Sequence, residues 1–174
     1  SKAMMANNGK LRGFKGSLYE GGIRTPFIVS WPAKFKGGRT INDPVISLDI
    51  LPTVIEATNT GRLAKRNFDG KSLLPLLNGK STNHHPVLFW NSGEEKSEWA
   101  VREGNWKLVA TRGQPWELYH VSHDRIESRD LVKRHPLLAR TLAAKWDRWA
   151  EANQVTPLPR NLGADYLPPL PSDQ

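Results

Sequence analysis

The chain has 174 residues, 38% of them hydrophobic and 24% charged, with no cysteine and a formal net charge of +8 at neutral pH. That length suits one compact unit of roughly 100–200 residues, and the composition is that of a folded globular protein rather than a disordered one. Lack of cysteine excludes a disulfide framework, a thiolate metal site and a cysteine nucleophile within these residues, while the basic balance favours anionic partners or a surface of solvated lysines and arginines.

The first residues, SKAMMANNGK, carry no apolar signal region, and no apolar run in the chain approaches the ~20 residues of a membrane span. A cytosolic chain, or a targeting segment lying upstream, is expected. Residues 1–22 are glycine-rich and basic. PFIVSWP, Pro26 to Pro32, is a short β-branched and aromatic run between prolines, which predicts a buried strand in an α/β sheet. ISLDILPTVIEAT predicts a helix capped by Ser47 or Asp49, stopped at Gly61, with Leu51, Val54 and Ile55 on its buried face. FDGKSLLPLLNGK reads as a packed loop or a single helical turn.

From Pro86 the texture changes. PVLFWN, EWAVREGNWKLVAT and WELYHV predict a small antiparallel sheet, with a hairpin turn at Glu103, Gly104 and Asn105. Leu138, Leu142, Trp146 and Trp149 then recur at helical spacing after Pro136, which predicts an amphipathic helix covering that sheet. The proline-rich end from residue 154 is expected to run extended.

Chemistry has few carriers. Lys15 lies between two glycines in GFKGS, where a ligand can approach both the ammonium and the backbone N–H groups. Taken alone, Gly-x-Lys-Gly fits a solvated turn as well as an oxyanion site. Glu20 and Arg24, four apart on the same stretch, read as structural bracing. His84-His85 and the pair His120 and His123 invite a metal reading, but none carries the helical zinc-protease pattern, and a three-residue gap on a strand does not align two side chains. Trp99, Trp106, Trp116, Trp146 and Trp149 are expected in the core, with Trp90 left as a pocket wall. The basic residues are scattered and accompany no nucleic-acid recognition motif.

The order of motifs is more specific than any one of them. GFKGSLYEGGIRTPFIVSWP, SLDILPTVIEAT, FDGKSLLPLL, VREGNWKLV, WELYHVSHD and ESRDL, from about Leu11 to Trp149, resemble the C-terminal part of type I sulfatases of the alkaline-phosphatase superfamily. The resemblance implies an α/β fold: residues 1–82 end the large domain and carry the lysine loop, 83–153 form a small antiparallel sheet plus helix, and 154–174 form a tail. It implies that Lys15 is the lysine that binds the sulfate group of a sulfated small molecule or carbohydrate. It further implies a formylglycine nucleophile and a Ca²⁺ ion, with both the modified residue and the metal ligands expected upstream and no metal ligand in this chain. His120 stands where the family has Asp, and Asp124-Arg125 where it has Asp-Pro. An extracytoplasmic location, periplasmic, secreted or lysosomal, follows from the same resemblance. Alone, these residues are expected to expose an apolar face, to self-associate or bind the missing N-terminal part, and to be inactive. The rival readings are a phosphoester or phosphonate hydrolase of the same superfamily and a non-catalytic module binding sulfated glycans.

Overall fold

Four strands in chain order make one antiparallel sheet: β1 (Val87–Asn91), β2 (Glu98–Glu103), β3 (Trp106–Thr111) and β4 (Glu117–His120), each paired with its sequence neighbour. The computed structural model describes residues 7–60, 66–80, 83–93, 98–155 and 167. Two units divide the chain: Ser1–Pro26 with Val87–Gln174, and Phe27–Pro86. The first 26 residues therefore group with the sheet.

The β2–β3 hairpin turns at Gly104, whose φ of 55° lies in the left-handed region that glycine enters without a Cβ penalty. Register pairs Val101 with Leu108 and Ala100 with Val109, and β4 continues it with Leu118 opposite Leu108 and Tyr119 opposite Lys107. Side chains alternate across a strand, so these pairs fall on two faces.

One face packs under α4 (Pro136–Ala152), which sets Ala139, Leu142, Ala143, Trp146 and Ala150 against Trp99, Val101, Leu108, Trp116 and Leu118. Trp146 meets Trp99 and Trp116 edge-on, ring centroids 6.3 Å apart in both pairs, and its indole N–H donates to the Trp90 carbonyl at 3.0 Å. The expected helix and its apolar spacing are both present. Pro136 is tolerated because an N–H at the first helical position has no intrahelical hydrogen bond to lose.

The opposite face packs under the segment before α1 (Glu20–Ile23), with Leu18, Tyr19 and Ile23 against Ala100, Val109, Tyr119 and Val121. Coverage from both sides explains why β3 is buried at Lys107, Leu108, Val109 and Ala110 in succession. The partly buried Trp90 packs against this second cluster.

In the other unit, a 3₁₀ turn over Ser47–Asp49 leads into α2 (Ile50–Thr58), which Asn59 ends with a left-handed φ of 53°. The predicted stop at Gly61 lies outside the described residues. α3 (Leu74–Leu77) is the single helical turn expected around Pro75.

Two expectations here change. Pro26 to Pro32 forms no strand, because no neighbouring strand among the described residues supplies a ladder; Phe27, Ile28 and Val29 are exposed. Of the face expected for α2 only Ile55 is buried, while Leu51 and Val54, with Leu48 and Ile50, stand in solvent.

Candidate functional site

The lysine loop is a turn built by glycine. The Ser17 N–H donates to the Phe14 carbonyl at 2.8 Å, which leaves Lys15 and Gly16 as the central pair. Gly16 has φ 92°, the positive value that the third position of a type II turn requires. Lys15 is exposed at the tip.

Gly21 and Gly22 then bring α1 back under the loop. A Cβ on Gly21 meets the carbonyls of Arg12 and Gly13, and one on Gly22 meets those of Ser17 and Phe14, far inside contact distance. The EGG sequence is therefore a packing requirement: the helix backbone lies on the turn backbone. The Gly21 N–H donates to the Arg12 carbonyl at 2.7 Å, and the Asn8 side chain donates to the Gly21 carbonyl at 2.6 Å.

Beneath the loop lies a buried charge cluster. Lys107 of β3, fully buried, sits 3.0 Å from Glu20 Oε1 and 2.8 Å from Glu127 Oε1. Glu127 Oε2 accepts the Glu20 backbone N–H at 2.6 Å, and Arg24 donates to Glu20 Oε2 at 3.1 Å. Burial alone pushes the Glu20 carboxyl up, but Lys107 and the bond from Arg24 outweigh it and hold Glu20 below the usual carboxylate range. Burial wins at Glu127, with Glu20 adding repulsion, and holds that carboxyl above its usual value.

A second ring of contacts fixes the loop's flanks. Arg12 lies over the Tyr19 ring at 3.8 Å, donates to the Tyr119 hydroxyl at 2.6 Å, and reaches Glu117 at 3.3 Å. The Tyr19 hydroxyl donates to Glu117; burial and that bond keep it protonated far beyond the ordinary tyrosine range. Glu98 of β2 accepts from the Leu18 N–H and from the Ser17 hydroxyl.

Glu20 and Arg24 pair as sequence spacing suggested. Lys107, Glu127, Glu98 and Glu117 were missed, because a charged residue on a strand or turn reads as solvated. A usable signal was Lys107 followed by the apolar run LVA, with residues of this type rarely buried unless paired.

The histidines separate into two groups. His120 and His123 stack at 4.4 Å, with Trp106 edge-on to His120, and His123 is exposed. His84 and His85, by contrast, are buried and converge on buried Asp49 at the foot of α2. His85 Nε2 lies 2.8 and 2.9 Å from the two Asp49 oxygens, and His84 Nε2 lies 3.4 Å from Oδ2. Asp49 also accepts the Ile46 and Lys71 N–H groups at 2.9 and 2.8 Å.

The glycine-built turn that presents Lys15 is thus braced by a meander sheet with a covering helix. Residues 13–149 match the family described as N-sulphoglucosamine sulphohydrolase, C-terminal, and the chain belongs to that family. Its sequence is 35% identical over 107 residues to mouse (Mus musculus) steryl-sulfatase, covering 60% of this chain and 17% of that protein. It is 37% identical over 103 residues to bovine (Bos taurus) arylsulfatase A, covering 58% of this chain and 20% of that one. The chain thus spans about a fifth or less of these relatives. Among solved structures, Ps i-CgsB superimposes with a TM-score of 0.71 at 27% identity, over 83% of this chain and 32% of that one. The same protein has been crystallised with k-i-k-neocarrahexaose. No helix among the described residues is long and apolar enough to cross a membrane.

Proposed function

We propose that this chain is the part of a sulfuric ester hydrolase that presents Lys15 to the sulfate group of a sulfated small molecule or carbohydrate. The observation that carries the reading is the lysine turn itself: an exposed cation on a tight glycine turn, clamped from below by a buried ion cluster. An ammonium held in place before reaction stabilises charge on sulfate oxygens as the S–O bond breaks, without reorganising at that moment.

In such enzymes a formylglycine hydrate supplies the nucleophile and Ca²⁺ polarises the sulfate. The residues present do not fit those groups: there is no cysteine and no Ser-x-Pro-x-Arg run, and no Asp-Asn pair precedes the lysine loop. This chain's share is therefore binding and positioning. In this reading the exposed Phe27, Ile28, Val29, Leu48, Ile50, Leu51 and Val54 are where the remainder of the enzyme packs. The extracytoplasmic location belongs to the same reading and rests on family membership alone.

The test is sulfate release by the full-length protein from an aryl sulfate and a panel of sulfated sugars, with aryl phosphate and phosphonate esters alongside. Lys15→Ala is expected to lower kcat by about 10²–10³ with an unchanged melting temperature. Turnover of phosphate esters alone, or a mutant as active as the parent, overturns the reading.

A further inference from the structure

Asp49, His84 and His85 bring three ligand-type atoms within 4.8 Å of one another, and all three residues are buried. Two of them have an ordinary structural account. His85 bridges both oxygens of Asp49, and Asp49 in turn holds the Ile46 and Lys71 N–H groups, tying the start of α2 to the Lys71 strand of loop. His84 has none. Its Nε2 is buried and makes no hydrogen bond, although its side chain is only 5% exposed and stands 3.4 Å from Asp49 Oδ2.

A buried ring nitrogen left unpaired costs about 1–3 kcal/mol, so its aim matters. That nitrogen stands 3.4 Å from Asp49 Oδ2, and the His85 Nε2 meets the same carboxylate. A buried ring nitrogen without a hydrogen bond, set beside a carboxylate that a second imidazole already meets, is an arrangement that a shared cation completes.

The geometry points to a transition-metal site of the zinc class, with His84 Nε2, His85 Nε2 and the Asp49 carboxylate as ligands. Ligand atoms of a tetrahedral zinc site, at about 2.0–2.1 Å from the metal, lie roughly 3.3 Å apart. The 3.4 Å between His84 and Asp49 already matches, and the 2.8 Å from His85 to Asp49 needs to open by about half an ångström once the metal takes the place of the shared proton. Two imidazoles and one carboxylate select this class over Ca²⁺ or Mg²⁺, which take oxygen ligands. Such an ion joins residues 36 apart in sequence and so has a structural role, independent of Lys15.

The full-length protein is stripped with a chelator, dialysed against Zn²⁺ in the presence of excess Ca²⁺, and its zinc measured by mass spectrometry. His84→Gln and His84→Leu serve as variants, because neither removes a hydrogen bond made by Nε2; His123→Ala serves as a surface-histidine control. The parent, His123→Ala and Lys15→Ala are expected to hold one zinc ion more than either His84 variant. Zinc is expected to raise the melting temperature of the parent by about 5 °C or more, and that of the His84 variants by none of it. Equal zinc in the parent and both His84 variants, or zinc lost with His123 instead, overturns the site. Lys15→Ala retaining its zinc while losing turnover separates this result from the fate of the sulfatase reading.

Discussion

Two buried polar clusters, one in each unit of the chain, are assembled on different terms. Around Lys107 every charge has an opposite partner: the lysine lies between two carboxylates, and Arg24 takes the outer oxygen of Glu20. Around Asp49 a carboxylate faces two imidazoles and one ring nitrogen is left over. The Lys107 cluster balances its charges and serves as a footing, although Glu127 Oε1, 2.8 Å from the ammonium, makes no hydrogen bond. The Asp49 carboxylate has no lysine or arginine side chain paired with it among the described residues, and the His84 nitrogen beside it is where the proposed metal binds.

The sharpest way to break this contrast is at Lys107. Lys107→Met leaves Glu20 and Glu127 buried without their cation and is expected to destabilise by about 3–5 kcal/mol, read from the urea midpoint. Adding Glu20→Gln and Glu127→Gln to that variant is expected to restore part of the loss, since the penalty comes from uncompensated charge and not from the missing contact. A triple variant as unstable as the single one would show that packing, rather than charge balance, governs the cluster.

A smaller effect is expected at Asp49. Asp49→Ala strands the Ile46 and Lys71 N–H groups and is expected to cost about 2–3 kcal/mol in zinc-free protein. His84→Leu, which takes away a ring whose Nε2 makes no hydrogen bond and puts an apolar side chain in its place, is expected to cost less than about 1 kcal/mol under the same conditions. Equal costs would mean that His84 is as integral to the fold as Asp49.

The smallest effect is the acid response. Glu20 is held below the ordinary glutamate value of 4.5, so its contribution is fully present above that value and is lost as pH falls through the depressed one. Glu127 is shifted the other way, so its contribution is present below 4.5 and is lost as pH rises through its elevated value. Stability measured against pH is expected to fall more gently on the acid side in Glu20→Gln than in the parent. Glu127→Gln is expected to lose the opposing decline above 4.5.

What was legible in the sequence was whatever depends on local spacing. The β-branched and aromatic texture of EWAVRE and WKLVAT, the turn at Gly104 and the four-residue rhythm through Trp146 are each decided within a few residues, and the strands, turn and helix they predict are present. The lysine turn was legible through its glycines. Not legible were the partners. Lys107 was silent because burial of a charged side chain is settled by Glu20 and Glu127, which lie far away in sequence. The Asp49 cluster was legible only in part: His84-His85 invited a metal reading and lacked the helical zinc-protease pattern, while Asp49, 35 and 36 residues away, was read only as a helix cap, and irregular backbone at residues 84 and 85 lets both rings meet it. The run from Pro26 to Pro32 misled for the complementary reason: its apolar β-branched residues describe a strand, but a strand exists only where another backbone pairs with it.

The bond between the Glu20 backbone and the Glu127 carboxylate spans 107 residues. A growing chain meets the lysine turn early and its footing late, on the order of ten seconds apart at roughly 5–20 residues per second of synthesis. Until the turn after β4 has left the ribosome, the glycines that later press the helix onto the turn leave that stretch loose. Maturation of the lysine turn is thus timed by the last strand of the sheet beneath it, whatever the speed at which the turn itself can close.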